Sequence, residues 1–348
     1  MPYHYYKINC MGSARIEPKG SFEVGSWQEF KLIYQVGNFG IDDWGGISIG
    51  LRPHFDGSQL QKNNPNEEGY VTVETSNRDP IEFEIETRRL IRPRMKSIFI
   101  RCLRFLKEND EIIVRIGDRR YGSPGIRMQT FCEKVFDFKV LVDPFATQDY
   151  VPLPEEKNPY ISIIPSNGVH WKIIAPSLRR TNNYFRLSIK CEDKWGNPSN
   201  KISNELYLST DQKIRNLPDK VVFKIGEFTK ILDNLMVEEE CCFKIFLKNK
   251  KGKILAKSNP ITIEDSKYEH FWSDMHGQSK ETIGTNSAKD YFDFARNKSF
   301  LDICGHQGND FQITDDFWKE LNVLTKKFNE NGKFLALPGY EWSGNTAV

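Results

Sequence analysis

Phe271-Trp272-Ser273-Asp274-Met275-His276 marks the place where the chain changes texture. Ahead of it, short runs alternate apolar and polar residues. From 266 onward, brief apolar runs are separated by stretches of helical spacing. Phe300-Leu301-Asp302-Ile303-Cys304 and Phe334-Leu335-Ala336-Leu337 repeat the opening pattern, and all three read as short strands, the first of them buried. Between the first two, Ser287 stands as a helix cap with Asp290 in capping-box position, and Tyr291, Phe294 and Ala295 share one face. Between the second and third, Thr314 or Asp315 caps a longer helix, whose Phe317, Leu321, Leu324 and Phe328 recur at helical spacing and which Gly332 ends. Strand, helix, strand, helix, strand predicts a parallel sheet, either doubly wound or the opening of a β/α barrel.

Upstream, the period is two. Tyr70-Val71-Thr72-Val73-Glu74-Thr75, Ile81-Glu82-Phe83-Glu84-Ile85-Glu86 and Glu111-Ile112-Ile113-Val114-Arg115-Ile116 are half-buried strands by pattern, separated by Gly and Pro turn signals. This predicts a β-sandwich over 1–150. Four prolines between 144 and 159 read as a linker. A second group of strands follows, with Asp193-Lys194-Trp195-Gly196-Asn197-Pro198 as a tight turn, and predicts an immunoglobulin-like β-sandwich over 151–265. The expected order is therefore two N-terminal β-sandwich domains and then a βαβαβ portion over 266–348. Trp27, Trp44, Trp171 and Trp195 are expected in the sandwich cores rather than on a sugar-stacking face.

Composition narrows the function classes. The 348 residues carry 49 basic and 47 acidic side chains, a formal net charge of +2, so no global charge points to nucleic acid. The basic stretch Arg88-Arg89-Leu90-Ile91-Arg92-Pro93-Arg94 reads as a solvated strand or loop. No apolar run reaches the ~20 residues that cross a bilayer, and Met1–Lys7 lacks the pattern of a secretory signal. Seven irregularly spaced cysteines without a CxxC fit free thiols in a reducing compartment. A cytoplasmic location is expected.

Active sites of β/α folds gather at the C-terminal ends of the strands. Here the first strand delivers Asp274, His276 and Gln278, the second His306 with Gln307, Asn309 and Asp310 beyond it, and the third Glu341. Parallel strands lie ~4.8 Å apart, so these ends converge on one mouth. Imidazoles with carboxylates suit a divalent transition metal such as zinc, manganese or iron. Either histidine taken alone is better explained as a polar residue closing a strand; the shared frame favours a metal site. Glu281 is near enough in sequence to join it, and the free N–H groups at the helix start near 282–287 are placed to receive a phosphate. Cys304 reads as a core thiol, alternating away from His306.

The wording of these segments goes further. Ser273-Asp274-Met275-His276-Gly277-Gln278 resembles the opening Asp-x-His-x-His motif of the PHP (polymerase and histidinol phosphatase) superfamily, with Gln278 in place of the second histidine. Gly305-His306-Gln307 resembles its second motif, with Gly305 where an aspartate is usual. Leu337-Pro338-Gly339-Tyr340-Glu341 resembles the third. Longer phrases, among them Asp302-Ile303-Cys304-Gly305-His306-Gln307-Gly308-Asn309-Asp310, Gly117-Asp118-Arg119 and Asp193–Pro198, are similar to a bacterial family of unknown function that carries a PHP-like catalytic domain. The resemblance implies a metal-dependent phosphoesterase of the β/α-barrel type, with His276, Gln278, His306 and Glu341 as metal ligands and Asp274 beside them as a catalytic residue. Later strands of such barrels bring further ligands, and the chain stops at Val348, so an incomplete site is expected. A complementing C-terminal fragment or a homo-oligomer is the partner that this implies. The competing expectations are a β-sandwich binding or structural protein and an inactive fragment.

Overall fold

A computed structural model describes residues 10–52, 54–86 and 96–344. The basic stretch 88–94 and the N-terminal segment 1–7 lie outside the described residues. The chain falls into two compact units, Met1–Ile164 and Pro165–Val348.

The first unit is a β-sandwich. One antiparallel sheet runs Ser13–Glu17, Phe30–Gln35, Glu111–Ile116, Val71–Thr75. The other runs Val151–Pro152, Lys139–Asp143, Gly46–Leu51, Lys96–Cys102, Ile81–Glu86. Both sheets send side chains into one core: Ile16, Leu32 and Val114 from the first meet Ile47, Ile100 and Val140 from the second. Alternation explains the half-buried strands, since Ile112, Val114 and Ile116 point inward while Glu111, Ile113 and Arg115 are only partly covered. Gly46–Leu51 is buried along its whole length, as a central strand under cover on both faces must be.

The first unit does not end near 150. Tyr160–Ile164 pairs antiparallel with Glu133–Asp137 and parallel with Ser21–Glu23. The proline-rich segment is no linker either. Val151 pairs with Val142, the Leu153 N–H donates to the Val140 carbonyl, and Val151 and Leu153 are buried. Prolines erase the periodicity of the segment without preventing two apolar side chains from reaching the core. Trp27, Trp44 and Trp195 also depart from expectation, being 42%, 60% and 40% exposed.

The second unit holds two cores. In the first, Ile173, Leu187 and Ile189 pack against Leu206, Phe223 and Leu247 from a facing sheet. Asp193 builds the predicted turn: fully buried, it accepts the N–H groups of Ser166, Trp195 and Asn197 at 2.9–3.0 Å.

The second core belongs to the βαβαβ portion. Ser273–Gly277, Ile303–His306 and Leu335–Leu337 form a parallel sheet in that order. Helix α1 (Ala288–Phe294) is capped by Ser287, whose hydroxyl bonds both the N–H and the carboxylate of Asp290. Helix α2 (Asp315–Phe328) is capped by Thr314 and buries Phe317, Leu321, Leu324 and Phe328. These pack with Phe292 against Cys304 and Ala336 of the sheet. Helix α2 stops at Phe328, ahead of Gly332, because Asn329 turns its side chain to the third strand and bonds both the N–H and the carbonyl of Ala336. Lys190 of the preceding sandwich donates to the Lys298 carbonyl at 2.9 Å, joining the two cores of this unit.

No barrel closes among the described residues. The helices cover one face of the three-stranded sheet, and the other stays open. The first strand begins at Ser273 and is not buried: Phe271, Trp272 and Met275 are 55%, 61% and 43% exposed, since an edge strand covered on one side leaves its other side chains to solvent.

Candidate functional site

The C-terminal ends of the parallel strands bring two of the expected residues together. His276, on the first strand, places Nε2 3.8 Å from Oε2 of Glu341, which follows the third strand. Both side chains are open to solvent, at 70% and 43% exposure. The outer strands thus reach toward each other across the mouth of the central one. Asp274 orients the first partner, its Oδ1 accepting the His276 N–H at 3.0 Å. Glu341 is aligned by a short parallel extension in which Gly308 pairs with Tyr340 and Asn309 with Glu341. Asp310 accepts the Ser343 N–H at 3.1 Å and ties down the chain just beyond.

The other expected ligands are engaged elsewhere. His306 is fully buried, with Nε2 2.8 Å from the Ser279 hydroxyl. Its ring stands edge-on to Tyr291 and Phe317, with centroids 6.0 and 5.5 Å away. Burial lowers its pKa below the usual imidazole value, while the Glu281 charge pulls weakly the other way. Its Nδ1 is buried and without a partner. Gln278 Oε1 accepts a hydrogen bond from the Thr282 hydroxyl at 2.8 Å. Glu281 accepts the Ala288 N–H at the start of α1, so its carboxylate serves the helix. The loop meant for a phosphate is bonded to itself: the N–H groups of Thr282 and Gly284 go to the Ser279 carbonyl, and that of Lys280 to the Asn286 carbonyl. Cys304 sits in the helix-covered core, and burial pushes its thiol up to about 11.

The His276–Glu341 pair fits a metal ion in its donor chemistry and its spacing. Two donors bound roughly 2.0–2.2 Å from one ion lie about 3–4 Å apart. Among the described residues, no third histidine, cysteine, aspartate or glutamate gathers with them. The structure therefore holds two side-chain donors of the four expected.

Gln307, which the pattern places just beyond His306 without making it a ligand, lies close to both outer strands. Its N–H donates to the Gly277 carbonyl at 2.7 Å, next to His276. Its carboxamide lies against Gly339, where an added Cβ would be 2.5 Å from its Nε2. The signal in sequence is the pair of glycines at 305 and 339, and it has meaning only once the strands are adjacent.

No family model matches the chain. The relatives it matches are uncharacterized proteins of Chlamydia. One from Chlamydia pneumoniae is 26% identical over 222 residues, covering 62% of this chain and 35% of the relative. One from Chlamydia trachomatis is 26% identical over 226 residues, covering 63% of this chain and 36% of the relative. The chain spans about a third of the length of these curated relatives. Among solved structures, the Yersinia pseudotuberculosis adhesin InvE aligns with a TM-score of 0.22 at 7% identity, over 72% of this chain and 58% of that one. InvD of the same organism gives 0.29 at 12%, over 75% and 58%. Likenesses this low carry no argument about fold or function.

Proposed function

We propose that the βαβαβ portion belongs to a PHP-like metal-dependent hydrolase acting on phosphoesters. The observation that carries this reading is the meeting of His276 and Glu341, 3.8 Å apart and accessible, at the C-terminal mouth of a parallel sheet. These are the residues on which the first and third motif resemblances fall. His276 and Glu341 would hold a divalent zinc, manganese or iron ion, which would supply Lewis-acid chemistry for phosphoester hydrolysis. Asp274 orients His276 through its backbone. His306, buried against Tyr291 and Phe317, supports the second strand instead of donating to the metal.

The open sheet face and edges suit a complementing polypeptide or a second copy of the chain. A cytoplasmic location agrees with seven free cysteines. No helix among the described residues is long and apolar enough to cross a membrane. A second reading, a β-sandwich binding protein, is favoured by the exposed Trp44, over which the Arg101 guanidinium lies 5.8 Å from the ring.

Hydrolysis of phosphomonoester and phosphodiester substrates in the presence of manganese tests the first reading. Turnover that is lost in the His276→Ala, Glu341→Ala double variant supports it. Equal turnover in both proteins contradicts it.

A further inference from the structure

Gln307, Gln278 and Asn309 carry carboxamides near the mouth, and their situations differ: that of Asn309 donates to Oε1 of Gln312 at 2.9 Å. That of Gln278 is occupied by the Thr282 hydroxyl. That of Gln307 makes no hydrogen bond with any described residue, although its backbone is fixed by the Gly277 carbonyl. It is nonetheless held in place. An added Cβ at Gly339 would lie 2.5 Å from Nε2 and 2.9 Å from both Cδ and Oε1, so the amide rests flat on that glycine. A Cβ at Gly305 would lie 3.4 Å from the same Nε2 and 3.1 Å from Cε of Met275. Neither glycine has a positive φ, so backbone conformation does not require glycine at either place. What both positions provide is room for the amide. Gly305 stands where the second motif has an aspartate, and the Gln307 amide fills the space beside it.

The placement is specific. Gln307 bonds through its N–H to the residue after His276, and its side chain lies on the residue two before Glu341. It thus stands on the central strand's extension, between the two outer strands whose side chains meet 3.8 Å apart.

Building on the reading of His276 and Glu341 as a metal-binding pair, we propose that the Gln307 carboxamide oxygen is their third side-chain donor, one from each parallel strand. One imidazole nitrogen and two oxygens make a harder donor set than a histidine-rich site, and this narrows the advantage that zinc holds over manganese. Gly305 and Gly339 act by leaving that oxygen its place.

Calorimetric titration of the full 348-residue chain with manganese alone tests the assignment. Gln307→Ala weakens binding about tenfold or more, and Gly339→Ala does the same by pushing the amide aside. Gln307→Glu tightens it about tenfold, because a carboxylate replaces a neutral oxygen at the same place. A merely structural glutamine would not produce that gain. His276→Ala abolishes binding. Loss in His276→Ala with no change in the three other variants overturns the role of Gln307 and leaves the metal-binding pair standing. Unchanged binding in His276→Ala, or none in the unaltered chain, overturns both.

Discussion

The Ser279 hydroxyl lies 2.8 Å from Nε2 of His306, and both side chains are fully buried. The contact links the loop after the first parallel strand to the end of the second. It accounts for one ring nitrogen of a histidine whose other nitrogen has no partner.

Removing the hydroxyl should be costly. Ser279→Ala leaves a second buried ring nitrogen unsatisfied, at about 1–3 kcal/mol. Thermal unfolding followed by far-ultraviolet circular dichroism should show a lower midpoint for the transition that includes the βαβαβ core. Ser279→Thr, which keeps the hydroxyl, should lose less.

The same histidine gives the fold a pH dependence. Burial holds its pKa below the usual 6.5, so the folded state favours the neutral ring and the unfolded state binds a proton first. The stability it contributes is complete above 6.5 and falls as the pH drops below that value. Unfolding midpoints measured at pH 7.5 and 5.5 should therefore differ. The difference should shrink in His306→Leu, even if that variant is less stable at both pH values.

Helix α2 depends on its buried face. Phe317→Ala removes a ring that packs both in the helical core and against His306, at about 3–5 kcal/mol. Hydrogen exchange should speed up across α2 and the second and third parallel strands. The amides of the first unit's sandwich, whose core shares no residue with this one, should keep their protection.

Asp193 pins its turn through buried charge-assisted bonds. Asp193→Ala strands the N–H groups of Ser166, Trp195 and Asn197 and should cost about 2–3 kcal/mol. Trp195 fluorescence should report a loosened turn before global unfolding.

The fold was legible where local chemistry and packing agree. The spacing of Phe317, Leu321, Leu324 and Phe328, with Thr314 ahead of them, is enough to place α2, and all four residues are buried. It was illegible where tertiary pairing overrides local signals, as with Val151 and Leu153 among the prolines. The open sheet face left Phe271 and Met275 exposed although their pattern reads as buried. The site divides in the same way. His276 and Glu341 follow from lying at parallel strand ends. The burial of His306 depends on Tyr291 and Phe317 arriving from two helices, and the freedom of Gln307 depends on space left by Gly305 and Gly339. Neither is written in any one segment.

The most direct test of the metal-binding pair is metal content by mass spectrometry, measured on the purified chain beside the His276→Ala, Glu341→Ala variant. Near-stoichiometric manganese, zinc or iron in the first and none in the second is the predicted result. Metal absent from the unaltered chain, or equal in both proteins, would contradict it.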